Sequence, residues 1–213
     1  MATLRFRLIA EAEARQIEPG SVVELEAGGH VTPLAWDTLR SRRITVVPAG
    51  GVDASIPADL APVSPAARVA VGADHTGLSL RKVLVGHLRQ RGLAVVEHGP
   101  TDDRPADYPD VAAAVALAVV RRECDAGIAI DGAGLGSAMA ANKVRGARAA
   151  MCTSVTLARY AREHNGANVL ALGATLLSER DAVEIADTFL TTPTTEPRYL
   201  RRLLKVRRLE DRF

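Results

Sequence analysis

Between Arg68 and Gly173 the chain alternates short, almost wholly apolar runs with longer segments whose apolar residues recur at helical spacing. The runs RVAVG (68–72), LAVVEHG (93–99), AGIAID (126–131), ARAAMC (147–152) and NVLALG (168–173) read as strands. The segments 78–92, 108–123, 154–164 and 178–192, and the tail from Arg198, read as helices. A strand that lacks polar alternation is covered on both faces, and a strand followed each time by a helix gives parallel neighbours. The prediction is a doubly wound, Rossmann-like α/β fold around a five-stranded parallel sheet. Open sheets of this kind bind ligands at the carboxyl ends of their strands. That rule points to Gly72–His75, Asp131–Gly136 and Cys152–Thr153.

The remaining 67 residues before this body divide in two. Residues 48–67, PAGGVDASIPADLAPVSPAA, lack periodicity and are rich in proline, alanine and glycine, as a linker is. Residues 1–47 carry apolar stretches at 21–25 and 44–47 around a helix over 33–42. They form a small N-terminal α+β module, short of a strong core of its own. The larger body is 68–213.

Composition narrows the function classes. A formal net charge of +2 makes no general case for nucleic acid or a membrane surface. Two cysteines, Cys124 and Cys152, make neither a disulfide framework nor a metal-ligand set. No apolar run reaches the roughly 18 residues of a membrane span. The opening MATLRFRLIAEAEARQ lacks a signal-peptide core. A cytoplasmic protein is expected.

Three loops carry chemistry. GADHTG sets Asp74 and His75 where a strand turns, and histidine near neutral pH serves as acid, base or phosphate donor; a capped turn with a solvated histidine is the plainer account. DGAGLGS (131–137) offers backbone N–H groups to an anion through Gly132, Gly134 and Gly136, with Ser137 opening a helix. Its spacing is neither GxGxxG nor a P-loop. Asp131 stands before it as base, hydroxyl ligand or helix cap. His164 and Asn165 close a helix in REHNGAN, where polar C-terminal residues are common. In RYLRRLLKVRR, Arg198 and Arg202 share a helix face and form a two-pronged phosphate grip, a solvated basic helix, or a nucleic-acid patch. Aromatic residues at 3% leave few stacking platforms for that last role.

Taken in order, VAVGADHTG, ADYPD (106–110), DGAGLGSAMAANKVRGARAAMC, AREHNGANVLALGA and the Arg198/Arg202 pair resemble the ribose-5-phosphate isomerase B family, which includes the galactose-6-phosphate isomerase subunits. The resemblance implies aldose–ketose isomerisation of a phosphorylated sugar through an enediolate, with no metal or nucleotide cofactor. Ribose 5-phosphate is the default substrate. It implies a homodimer or dimer of dimers with shared sites. By position it makes Asp74, His75 and Tyr108 substrate contacts, His164 the ring-opening acid/base, Asn165 its support, Arg198 and Arg202 the phosphate grip, and Gly132–Gly136 the oxyanion loop. The family's usual cysteine base is replaced by Asp131, the glutamate some members place later in the loop by Ser137, and the loop threonine by Ala133. Asp131 is therefore expected as the proton-abstracting base. A catalytically silent, sugar-phosphate-binding subunit is the alternative.

The segment GGHVTPLAWDTLRSRRITVV (28–47) is similar to a short stretch of bacterial-microcompartment enzymes; Thr32, Pro33, Ala35, Asp37 and Arg43 carry the match and Trp36 departs from it. This implies that residues 1–47 dock to a microcompartment shell or cargo protein, with the enzyme inside that compartment.

Overall fold

The computed structural model describes residues 4–48, 57, 60–102 and 104–212. The chain divides into two compact units, residues 1–57 and 58–213.

The first unit has strands β1 (Arg5–Ile9), β2 (Val22–Val31) and β3 (Thr45–Pro48), all parallel in the order β1-β2-β3. Helices α1 (Glu11–Gln16) and α2 (Pro33–Ser41) make the crossovers. Thr32 caps α2 by accepting from the Ala35 amide at 3.4 Å, and Pro33 fills the first helical position, where no N–H is needed. Ile9, Ala14, Val23, Ala35 and Leu39 are buried together. The sequence reading captures β2, α2 and β3 but not β1 or α1. Of the proposed 48–67 linker, residues 49–56, 58 and 59 lie outside the described residues. Its last part is not spacer: Leu60 is buried and Ala66 joins the main core, with its amide bonded to the Leu190 carbonyl at 2.9 Å.

The second unit is the predicted doubly wound domain. Its strands are β4 (Arg68–Ala73), β5 (Ala94–His98), β6 (Ala126–Asp131), β7 (Ala149–Met151) and β8 (Val169–Gly173). They lie parallel in the order β5-β4-β6-β8-β7. Every residue of β6 and β8 is buried, which is why neither alternates in polarity. Side chains of successive residues point to opposite faces, so each strand feeds two cores. Val69, Val71, Ile128, Ile130, Leu170 and Leu172 face one layer, with α3 (Leu78–Gln90), α6 (Val155–Glu163) and α7 (Glu179–Thr191). Ala70, Ala129 and Val169 face the other, with α4 (Tyr108–Val120) and α5 (Leu135–Ala141). A C-terminal helix, α8 (Pro197–Leu209), follows. No helix among the described residues is long and apolar enough to cross a membrane.

From β4 the chain moves to one side to form β5, then returns to lay β6 on the other. The switch point thus falls between the carboxyl ends of β4 and β6, where Ala73–Asp74 and Asp131 emerge.

Candidate active site

Asp131 is the last residue of β6 and is 5% exposed. Its carboxylate turns into the loop that follows. Oδ1 accepts from the Ala133 amide at 2.9 Å and from the Gly134 amide; Oδ2 accepts from the Ser137 amide at 2.7 Å. The loop can close this way because Gly134 sits at φ +77°, a conformation that costs L-residues. A Cβ there would also lie 2.9 Å from the Gly173 nitrogen. The amides expected to hold a substrate oxyanion therefore already hold the chain's own carboxylate. A carboxylate offers about four lone-pair positions. Three are occupied, leaving one on Oδ2.

Asp74, 5% exposed, caps the turn over 75–77: Oδ1 accepts from the Thr76 amide at 2.9 Å, the Thr76 hydroxyl at 2.6 Å and the Gly77 amide at 3.2 Å. Through Oδ1, Asp74 positions the turn. His75 is exposed, with Nδ1 3.3 Å from both the oxygen and the nitrogen of Ala106. That contact ties the β4 turn to the segment leading into α4. Tyr108, at the start of α4, lays its ring against Gly136, where a Cβ would come within 2.6 Å of ring carbons. A side chain at position 136 would force the Tyr108 ring to move. So His75, Tyr108, Asp131 and the 132–137 loop converge at the switch point.

His164 and Asn165 lie elsewhere. In a parallel sheet the crossover helix runs back to the start of the next strand, and His164 follows α6 just ahead of β8. Asp131 pairs with Gly173 at the far end of β8, so the two groups are roughly 13 Å or more apart along the strands. The His164 ring stacks on Tyr160, with centroids 4.5 Å apart and planes at 16°, and meets Tyr199 at 4.4 Å. Asn165 donates to the Tyr160 carbonyl at 3.2 Å. Arg198 donates to the Tyr199 hydroxyl at 2.9 Å and lies over its ring, with Arg202 6.0 Å from the same centroid. Of these groups His164, Asn165, Tyr199 and Arg202 line a cleft of about 680 Å³ beside β7 and α8. Tyr160 and Tyr199 escape the sequence reading. The i,i+4 spacing of Tyr160 and His164, and the adjacency of Tyr199 to Arg198, are the signals that point to them.

Neither cysteine joins these clusters as a nucleophile. Burial pushes the Cys152 thiol up to about 11, and raises that of Cys124. Among the described residues, no three His, Cys, Asp or Glu side chains are gathered to hold a metal ion.

A doubly wound domain with a buried carboxylate, a glycine loop and an exposed histidine at its switch point defines an enzyme of the open α/β class acting on a small molecule. The family model described as Ribose/Galactose Isomerase matches residues 69–206. Ribose-5-phosphate isomerase B of Escherichia coli K12 is 38% identical over 145 residues, covering 68% of this chain and 97% of that protein. A probable ribose-5-phosphate isomerase B of Mycoplasma genitalium is 41% identical over 142 residues, covering 66% of this chain and 93% of that protein. The solved ribose-5-phosphate isomerase B of Clostridium thermocellum superposes with a TM-score of 0.67 at 41% identity, over 68% of this chain and 98% of that one. The Mycoplasma genitalium structure with bound ribulose-5-phosphate gives 0.66 at 39%, over 68% and 97%. The chain belongs to the ribose/galactose isomerase family, and is by that membership a sugar-phosphate isomerase.

Proposed function

We propose that the chain interconverts ribose 5-phosphate and ribulose 5-phosphate, with Asp131 as the base. The observation that carries this is the Asp131 carboxylate at the switch point, fixed by three amides with one lone pair unspent. The carboxylate takes the proton from C2 of the open-chain aldose. The electron pair forms the C1–C2 double bond of an enediolate as the carbonyl oxygen becomes O⁻. Returning the proton to C1 while the C2 hydroxyl proton moves to O1 yields the ketose. Three rigid donors hold the base in one orientation, which is how positioning lowers such a barrier. The bound ribulose-5-phosphate in the Mycoplasma genitalium relative supports the substrate choice.

The two clusters at opposite ends of β8 serve one site only if two copies meet, each bringing one cluster. In this reading the enzyme works as a dimer, or a dimer of dimers. His164, Asn165, Arg198 and Arg202 of one copy open the sugar ring and grip the phosphate against Asp131, His75 and Tyr108 of the other. Exposed Leu135 and Met139, at i,i+4 on α5, and Leu157 and Tyr160 on α6 offer the apolar surface for that contact. A cytoplasmic location follows this activity.

Proton NMR in D2O tests the chemistry. Deuterium entering C2 of ribose 5-phosphate or C1 of ribulose 5-phosphate supports the isomerase. The three amides on Asp131 favour a second reading, a silent subunit that binds the sugar phosphate without turnover. Line broadening of ribose 5-phosphate with no deuterium exchange would establish it.

For residues 1–47 we propose docking to a microcompartment shell or cargo protein. Leu34 and Trp36 of α2 are 61% and 39% exposed and offer apolar surface beside Thr32, Pro33, Ala35 and Asp37, which carry the resemblance. Loss of co-assembly with shell proteins on deleting 1–57 supports this; unchanged co-assembly refutes it.

A further inference from the structure

A histidine that moves protons is commonly oriented by a hydrogen bond on one ring nitrogen, which also sets its tautomer. His164 is held differently. Glu163 Oε1 lies 3.9 Å from its Nε2, beyond hydrogen-bond reach. Among the described residues neither ring nitrogen of His164 has a hydrogen-bond partner.

Two phenol rings hold the imidazole instead. Tyr160, one turn earlier in α6, stacks on it with centroids 4.5 Å apart and planes at 16°. Tyr199 of α8 packs on it at 4.4 Å and 34°. Both separations lie at the short end of the range for aromatic pairs. Stacking covers the faces of an imidazole and leaves its two nitrogens, which act in the ring plane, open. Tyr199 is itself anchored: it is 9% exposed, and Leu203 and Leu204 bury the same side of α8. The Tyr199 ring also organises the arginines. Its hydroxyl accepts from Arg198 Nη2 at 2.9 Å, and the guanidinium groups of Arg198 and Arg202 lie 4.6 and 6.0 Å from its centroid. Among the described residues neither arginine pairs with a carboxylate, so this ring is what orients them.

We propose that Tyr199 is a positioning residue of the isomerase, on the reading that makes His164 the ring-opening group and Arg198 and Arg202 the phosphate grip. Its ring orients the imidazole, with Tyr160 as the second support, and its hydroxyl aims Arg198 at the phosphate. With both nitrogens free, a neutral imidazole takes the proton of the O1 hydroxyl and gives its own to O4. The C1–O4 bond breaks, its electron pair goes to O4, and C1=O forms. The imidazole ends as its other neutral tautomer. One buried ring thus sets the spacing between the group that opens the sugar and the group that holds its far end, which is how fixed geometry lowers such a barrier.

Ribose 5-phosphate must open its ring before it reacts, whereas ribulose 5-phosphate, whose O5 carries the phosphate, closes no furanose. Two rates on the full chain therefore separate ring opening from the enediolate step. One is kcat for ribose 5-phosphate; the other is deuterium entry into C1 of saturating ribulose 5-phosphate in D2O. Tyr199→Phe keeps the ring and removes the hydroxyl, so KM for both sugars should rise at least threefold with kcat within about twofold of the parent. Tyr199→Leu removes the ring as well. It should lower kcat for ribose 5-phosphate at least tenfold below that of Tyr199→Phe, while saturated exchange stays within about twofold. Tyr160→Leu should show the same asymmetry without the rise in KM, and decides the matter if Tyr199→Leu does not melt cooperatively. An unchanged KM in Tyr199→Phe overturns the proposal, as do equal losses of turnover and exchange in the leucine variants, because the ring is then packing alone. Absence of exchange in the parent chain removes the isomerase reading itself, and this role with it.

Discussion

At the residue scale Asp131 fixes the loop's shape and is, in the proposed mechanism, the base. Asp131→Asn keeps one oxygen for the Ala133 and Gly134 amides but sets an NH2 against the Ser137 N–H. The unpaired donor costs about 1–3 kcal/mol, and loss of the base lowers kcat by about 10²–10⁴. Steady-state assays and urea titration should show a folded, less stable, inactive protein; retained turnover would remove Asp131 from the mechanism. His98, at the end of β5, makes a separate prediction. Its Nε2 is buried without a partner, and burial lowers its pKa. The unfolded chain therefore takes up this proton first, and stability falls as pH drops through the ordinary value of 6.5. His98→Leu should lose less stability than the parent between about pH 7.5 and about pH 5.5 in urea titrations. An equal loss would assign the acid sensitivity elsewhere. The sequence places Asp131 at the right point in the chain, yet leaves base and cap as rivals. Only the direction of the side chain shows that it does the capping, since either role puts the same residue between strand and loop.

At the element scale the strands of the body are legible because burial on both faces removes polar residues from them. β6 runs over 126–131 as read. β7 shortens to three residues, since an edge strand has one neighbour to define its length. β1 is missed because its five residues are too short a run to read alone, and only Ile9 among them is buried. Ser178 caps α7 by accepting from the Asp181 amide at 3.1 Å. Ser178→Ala should cost about 1 kcal/mol by denaturant titration with activity unchanged. Gly136→Ala strikes between α4 and α5. Since Tyr108 is 40% exposed, its ring can swing outward, so turnover should fall at least tenfold while stability changes by less than about 1.5 kcal/mol. A large loss of stability with normal turnover would mean that the ring is packing rather than site.

At the scale of the whole molecule, the sequence motifs name both clusters, but only the family resemblance, which implies sites shared between copies, hints that one chain keeps them apart. Their separation follows from the return direction of α6, a topological fact that no local pattern carries. If two copies complete each site, inactive Asp131→Asn and inactive His164→Ala chains should regain up to about a quarter of parental activity when refolded together, because random pairing leaves one good site in half the dimers. No recovery would place the whole reaction within one copy. The body also holds its own core, so residues 58–213 alone should fold and unfold in one cooperative transition by calorimetry.

The self-filled loop has a pharmacological side. Inhibitors that mimic an enediolate gain much of their potency by delivering an anionic head to free backbone donors. In this chain such a head must first evict a tethered carboxylate, or bind beside it against like charge. Compounds with such a head should therefore lose potency on this chain, and a neutral or cationic head that pairs with Asp131 becomes the better lead.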